Sequence, residues 1–331
     1  MIGYREQIES ALRAVAVTSA TSYSWFGRRS RPLPRAVASA LAPDSARKFL
    51  IDGLQNELYR SFYTQGRPVP VGTASVPGRS GQALVEALSQ ANSATGGWQP
   101  GWRLEMVEHG TVLAVRDGLH VRVPISDCRE VNRGCGAGAP LSVRRPKELL
   151  AGTPGFYTAL GDREPSAGRE AVELRVYFNI PAEGAAPLVG VCTRLLNEAE
   201  IPFELKVVDH PGGFARCDAA VLYLDKGDFE RVREWLRAIV STCAPHLHGE
   251  PPAFAKSLAP GVAVGEHRPS LGASFGTSRC RLFAEGVVAA HESGARRLPD
   301  RFDAVARRFA NHRLDIDAPY LAPGSAGCYE L

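Results

Sequence analysis

Two strand-like segments carry charged side chains where an apolar alternation would otherwise run unbroken. Strand side chains point to opposite faces in turn. In Glu173–Ile180, Leu174, Val176, Phe178 and Ile180 fall on one face, and Glu173, Arg175, Tyr177 and Asn179 on the other. In Phe203–Val208, Lys206 and Glu204 alternate with Phe203, Leu205 and Val207. A third segment, with Arg216 at its start, alternates Asp218, Ala220, Leu222 and Leu224 with Ala219, Val221 and Tyr223. If these strands pair, one face presents Arg175, Asn179, Lys206 and a residue of the third strand. That row is either a site for an anionic ligand or the solvated face of an antiparallel sheet. Lysines are scarce, only Lys48, Lys147, Lys206, Lys226 and Lys256 among 39 basic residues. Arginine stays charged near neutral pH, so a lysine base must be one of these five.

A second constellation is Gly272-x-Ser274-x-Gly276, followed by Arg279 and Arg281. A nucleophile elbow needs a buried strand directly before it; here Pro269 and a loop precede. The readings beside a serine nucleophile are a plain helix cap by Ser274, Thr277 or Ser278, and an anion site at the helix start; these two are favoured. Arg144-Arg145-Pro146-Lys147 is a basic cluster ahead of an expected helix. His246-x-His248 has no second pair nearby, so no metal is expected. Gly134-x-Gly136-x-Gly138 lacks the frame of a dinucleotide site, and no cofactor is expected. His210 and His267 are candidate acids. Trp98 and Trp102 would pin a loop or grip a peptide.

The elements that position these residues read as α+β. Helices are expected over 5–17 and 44–63, with a basic, proline-broken loop between them. Residues 64–79 are rich in Gly, Pro and Ser, and 80–92 is a short amphipathic helix. Turn signals at His109-Gly110 and Asp117-Gly118 predict three antiparallel strands. Residues 128–140 read as a loop. From about 150 the order is strand, helix, strand, strand, helix: a split β-α-β-β-α core with an antiparallel or mixed sheet and helices on one face. A Pro/Gly-rich loop over 244–273 and helices near 277–292 and 299–310 complete the chain. The expected division is an N-terminal helical region, 1–80, serving partner docking or covering the core, and a main domain, 81–331.

Composition narrows the function. Hydrophobic residues are 44% and the formal charge is +4, which suits a globular protein and does not by itself imply nucleic acid. Tyr177 and Phe178 are neighbours on a strand and cannot form one stacking platform for RNA. No apolar run reaches membrane-span length, and the N-terminus carries Glu6 and Glu9 rather than an apolar signal core. Seven cysteines without a Cys-x-x-Cys pair suggest free thiols in a reducing cytoplasm.

The order of LSQANSATGGWQPGW, PGFYTALGD, LRVYFNI, LLNEAEIPFELKV, RCDAAVLYL, FAKSLAPGVAVGE, SFGTSRCRLFAEG and APYLAPGS resembles the HopA-type effector family. It is especially similar to stand-alone members from gene clusters for class V lanthipeptides and thioamitides. The resemblance spans about residues 85–325. It implies a phospho-peptide lyase: a kinase-like partner phosphorylates Ser or Thr of a precursor peptide, and this protein eliminates the phosphate to leave dehydroalanine or dehydrobutyrine. Membrane and nucleic acid have no part in it. The alternative is a non-catalytic peptide- or kinase-binding member of the same pathway.

That chemistry makes demands. The Cα proton is weakly acidic, so the enolate-like oxygen needs a cation or hydrogen-bond donor. A lysine base needs burial or cationic neighbours to be uncharged, and the phosphate suits arginine. On this footing Lys206 is the general base, with Lys256 as second lysine candidate. Arg175, Arg216 and Arg279 bind phosphate, with Ser274 and the helix start beneath it. Asn179 and Tyr223 position the peptide amide or donate to the enolate. His210 and His267 are candidates for the leaving-group acid, and Asp218 orients an arginine.

Overall fold

In the computed structural model, residues 3–71, 81–131, 136–164, 172–269 and 272–331 are described; Gly134 and Cys135 lie outside them. The chain opens with helix α1 (Tyr4–Ala14) and a small sheet of β1 (Val15–Ser19), β2 (Ser22–Trp25) and β3 (Arg28–Arg29). Then come α2 (Arg35–Ala40), α3 (Pro43–Ser61) and α4 (Gln82–Ala91). A second sheet follows: β4 (Trp98–Glu108), β5 (Thr111–Arg116), β6 (Leu119–Pro124), β7 (Cys128–Arg129) and β8 (Pro140–Arg144). The largest sheet is built from β9 (Glu148–Thr153), β10 (Phe156–Leu160), β11 (Glu173–Phe178), β12 (Glu204–Val208), β13 (Ala220–Asp225), β14 (Lys256–Ala259) and β15 (Val262–His267). Its helices are α5 (Ala182–Glu198), α6 (Phe229–Cys243), α7 (Phe275–Glu292) and α8 (Leu298–Asn311).

The seven strands run β14-β15-β11-β13-β12-β10-β9, each antiparallel to its neighbours. The split β-α-β-β-α unit is β11-α5-β12-β13-α6: β13 lies between β11 and β12, so those two run parallel without touching. Period-two alternation sorts the faces. Leu174, Val176, Leu205, Leu222 and Val264 pack under α5 and α6 in one buried cluster. Tyr177, Val221 and Ala263 point the other way, into a second cluster with α1, α3, α7 and α8. Helices therefore cover both faces, where one covered face was expected. Residues from α1 and α3 thus share a core with α7 and α8.

Several expectations need correcting. The first helix ends at Ala14, because Val15–Val17 and Ser19 pair with β2, Val15 opposite Trp25; β-branched residues favour the extended form. The loop over 244–273 contains β14 and β15, and β15 pairs with β11 along its whole length. The segment after Lys147 is strand β9, not a helix. Arg145 is buried and donates to the Gly161 carbonyl at 3.0 Å, while Lys147 donates to Ser89 and Asn92 carbonyls, so both hold the fold together. Trp98 and Trp102 lie on β4, stacked under Arg129 at 4.0 Å and Arg116 at 5.0 Å. The turns at His109-Gly110 and Asp117-Gly118 adopt the positive φ that a tight hairpin requires.

Candidate active site

Registry places the polar row. Arg175 on β11 lies opposite Tyr223 on β13, and Tyr223 lies opposite Glu204 on β12. In the next row, Tyr177 faces Val221, which faces Lys206, which faces Thr158 on β10. Lys206 Nζ stands 5.3 Å from the Tyr223 ring centroid and the Arg175 guanidinium 5.1 Å from it. Two cations thus share one aromatic ring, and each is attracted to its π-system. Arg175 donates to Glu173 at 2.6 Å. Lys206 is half-buried and makes no ion pair or hydrogen bond among the described residues. Burial, against the opposing pull of Arg175, pushes the Tyr223 phenol up to about 12, so it stays a hydrogen-bond donor at neutral pH.

Beyond the end of β12, Arg216 forms a two-point pair with Asp218, Nε to Oδ1 at 2.5 Å and Nη2 to Oδ2 at 2.8 Å. It also donates to the Tyr59 hydroxyl of α3 at 3.2 Å and lies over the Phe156 ring. Burial opposes its charge, but Asp218 and Tyr59 outweigh that and raise its pKa. His210 Nδ1 sits 2.9 Å from Asp209 Oδ1. His210, Arg216, Arg60 and Tyr59 line one cavity of about 270 Å³.

The helices above this face fit closely. Tyr59 stacks on Tyr63 at 5.1 Å, and Tyr63 and Tyr177 both meet Phe275 at the start of α7. A Cβ on Gly276 would sit 2.3 Å from the Tyr63 ring, and one on Gly265 would sit 2.9 Å from Phe275. Tyr177 Oη is buried, with the Tyr63 hydroxyl as its polar neighbour.

The other expected site residues are placed as follows. Arg279 is buried and donates to the carbonyls of Pro319 at 2.8 Å and Leu321 at 2.7 Å. Burial lowers its pKa to about 10. His267 is buried; desolvation, then Arg175 and Arg279, lower its pKa to about 3. It is neutral at physiological pH, which suits a spacer between two guanidiniums better than a proton donor. Ser274 is exposed and caps α7, accepting from Thr277 N at 3.3 Å. Asn179 lies past the end of β11, where its amide donates to the Glu250 carbonyl at 2.8 Å. Lys256 is on the edge strand β14, four strands from Lys206, roughly 19 Å at the usual interstrand spacing. Its amine lies over the Tyr320 ring. The structure thus brings together Lys206, Tyr223 and Arg175, and sets Arg216 with His210 at the end of the same strand pair. It leaves Lys256, Asn179 and Ser274 elsewhere. Tyr59, Arg60 and Asp209 were not singled out: the first two belong to a helix about 150 residues away in sequence, and Asp209 was one more polar loop residue.

Residues 150–321, more than half of the chain, match the model of the HopA1 effector protein family. Among solved structures, the chain is similar to an effector protein from Pseudomonas syringae pv. tomato strain DC3000, with 16% identity and a TM-score of 0.47 over 87% of this chain and 93% of that one. It is also similar to one from Pseudomonas syringae pv. syringae strain 61, with 15% identity and a TM-score of 0.46 over the same shares. No curated protein matches the chain.

Proposed function

We propose that this chain, which belongs to the HopA1 effector protein family, is a lyase that eliminates phosphate from phosphoserine or phosphothreonine in a peptide. The observation that carries the reading is the meeting of Lys206 and Arg175 on the Tyr223 ring, one end of β12 away from the Arg216 cavity. Lys206 is the base. Its amine is uncommitted, since no carboxylate holds it among the described residues. Tyr223, a phenol at neutral pH, donates to the developing enolate oxygen, and Arg175 supplies positive charge beside it. Arg216 faces the phosphate. The substrate is a precursor peptide phosphorylated by a kinase-like partner, and the product residue is dehydroalanine or dehydrobutyrine.

A binding-only role draws on a specific observation as well: Glu173 and Asp218 hold Arg175 and Arg216 in fixed ion pairs, an arrangement that orients them for a peptide ligand without requiring a reaction. One experiment separates the two. Purified protein incubated with a synthetic phosphothreonine peptide is followed by mass spectrometry. Loss of phosphoric acid supports the lyase; tight retention of an intact phosphopeptide supports the binder.

A further inference from the structure

The cavity at the end of β12 is built by distant parts of the chain. Tyr59 and Arg60 come from α3, Gly155 and Phe156 from the turn into β10, and His210, Gly213 and Arg216 from the segment after β12. At about 270 Å³ it is far larger than the roughly 30 Å³ share of one water. Two arginines and a histidine border it, and no carboxylate is among the described residues that line it.

The histidine is held in one orientation. Asp209 is anchored through its backbone: its N donates to Gly155 O at 3.1 Å, and its carbonyl accepts from Gly81 N at 3.0 Å. Its carboxylate takes up Nδ1 of His210 at 2.9 Å, so Nε2 is the ring atom left to act. The ring lies against Gly213, where a Cβ would come within 2.8 Å of Nε2 and 2.4 Å of Val208 Cγ1. Glycine is the residue that lets the loop close over the imidazole. Arg216 spends Nε and Nη2 on Asp218 and Tyr59, leaving Nη1 for a ligand. Arg60 is half-exposed, with Glu57 3.6 Å away.

We infer that this cavity seats the phosphate group of a phosphomonoester peptide, and that the Asp209–His210 pair protonates the phosphate as it leaves. The inference rests on the lyase reading above and adds a location and a proton donor to it. Val208, on the cavity wall, is two residues past Lys206 on the same strand face, roughly 7 Å along the chain. A substrate with its phosphate in the cavity therefore lays its Cα along β12 toward Lys206.

The step balances without any co-reactant. Lys206 Nζ takes the Cα proton, and the C–H electron pair becomes the second Cα–Cβ bond. The Cβ–O bond breaks, its electrons going to the phosphate oxygen. Protonated His210 gives its Nε2 proton to that oxygen, so hydrogen phosphate leaves instead of the strongly basic trianion. His210 then regains a proton from water and Lys206 loses one, restoring the enzyme. Arg60 and Arg216 hold the dianion. Asp209 is a positioning residue, because it touches only the imidazole.

The test compares two peptides. One carries phosphothreonine; the other carries β-chloroalanine, whose chloride leaves without a proton. His210→Gln should lose roughly 10²–10⁴-fold in the phosphate rate relative to the chloride rate, and Asp209→Asn should move the same ratio in the same direction. Equal losses on both peptides, or no loss on either, overturn the proton-donor role while the lyase reading survives. Lys206→Ala should instead depress both rates together. If the wild-type protein eliminates neither group, the lyase reading fails, and the cavity is judged by calorimetric titration with inorganic phosphate. Arg60→Gln, at a half-exposed position that tolerates substitution, and His210→Gln should each weaken that binding about tenfold or more. Unchanged phosphate affinity in both variants refutes the cavity as an anion seat.

Discussion

Lys206 and Arg175 stand on the same tyrosine, 5.3 Å and 5.1 Å from the Tyr223 ring centroid. They come from strands that never pair with each other, and β13 between them supplies the ring. Two like charges at such range repel unless something intervenes. The ring, together with Glu173 on Arg175, makes the arrangement sustainable, and it leaves the amine as the uncommitted member.

The Tyr223 hydroxyl is then the part to remove first. Tyr223→Phe keeps the ring under both cations and deletes only the donor. We expect kcat on a phosphothreonine peptide to fall about tenfold to a hundredfold, by analogy with a lost oxyanion donor, with KM little changed. A rise in KM with kcat unchanged would assign Tyr223 to substrate docking.

Gly276→Ala probes how tightly α7 seats over the site. The new Cβ would meet Tyr63 at 2.3 Å, and that ring is fully packed between Tyr59 and Phe275. Alanine favours the helix by up to about 1 kcal/mol, but overpacking typically costs about 1–3 kcal/mol. Net destabilisation in urea unfolding is expected, accompanied by a loss of activity as Tyr63 and its neighbour Tyr59 shift. A more stable variant would show that the helix stands off the sheet.

Arg279 should behave as a structural residue. Its guanidinium holds the carbonyls of Pro319 and Leu321, and each buried acceptor left unpartnered costs about 1–3 kcal/mol. Arg279→Met should therefore lower stability by about 2–6 kcal/mol, and limited proteolysis should open the chain near 319–321. A variant of native stability that has lost phosphopeptide binding would instead place Arg279 at the ligand.

Acid sensitivity follows from His267. Its folded pKa of about 3 lies below its ordinary value of 6.5, chiefly through burial and then through Arg175 and Arg279. Between those values the unfolded chain binds the extra proton, so this group's contribution costs stability as pH falls from about 6.5 to about 3, by at most about 1.4 kcal/mol per pH unit. The neighbouring Glu266 carboxylate works in the same direction. Burial raises its pKa, but bonds from Ser325, Tyr329, the Ala322 N–H and Lys226 outweigh that and hold it low, so protonating it on acidification also loses stability. His267→Phe should flatten the part of the curve that belongs to the imidazole. An unchanged slope in denaturant melts from pH 6.5 to 4 would mean that His267 is charged in the folded protein.

The sheet's central unit was legible because β11, β12 and β13 keep strict alternation, with one face apolar throughout. The same alternation put Arg175 and Lys206 on one face and Tyr223 among their neighbours. Strand β15 escaped because Val262–His267 is buried on both sides and shows no alternation, and it sits inside a Pro/Gly-rich stretch. Strands β1 to β3 escaped because Val15–Ser19 continues a helical pattern without a stop signal. Arg60 and Tyr59 could not be assigned from sequence, since only the packing of α3 on the sheet brings them to Arg216. Lys256 looked equivalent to Lys206 by residue type, and strand order alone separates them; Asn179 shared the polar alternation of β11 but lies past its last residue, bonded to the Glu250 carbonyl.

The central claim is that the Lys206 amine takes the Cα proton. The most direct measurement is elimination from a phosphothreonine peptide by the wild-type protein and by Lys206→Ala, with circular dichroism confirming that both are folded. The account predicts dehydrobutyrine from the wild type and accumulated, unreacted phosphopeptide with the variant. Dehydration by Lys206→Ala at the wild-type rate would contradict it.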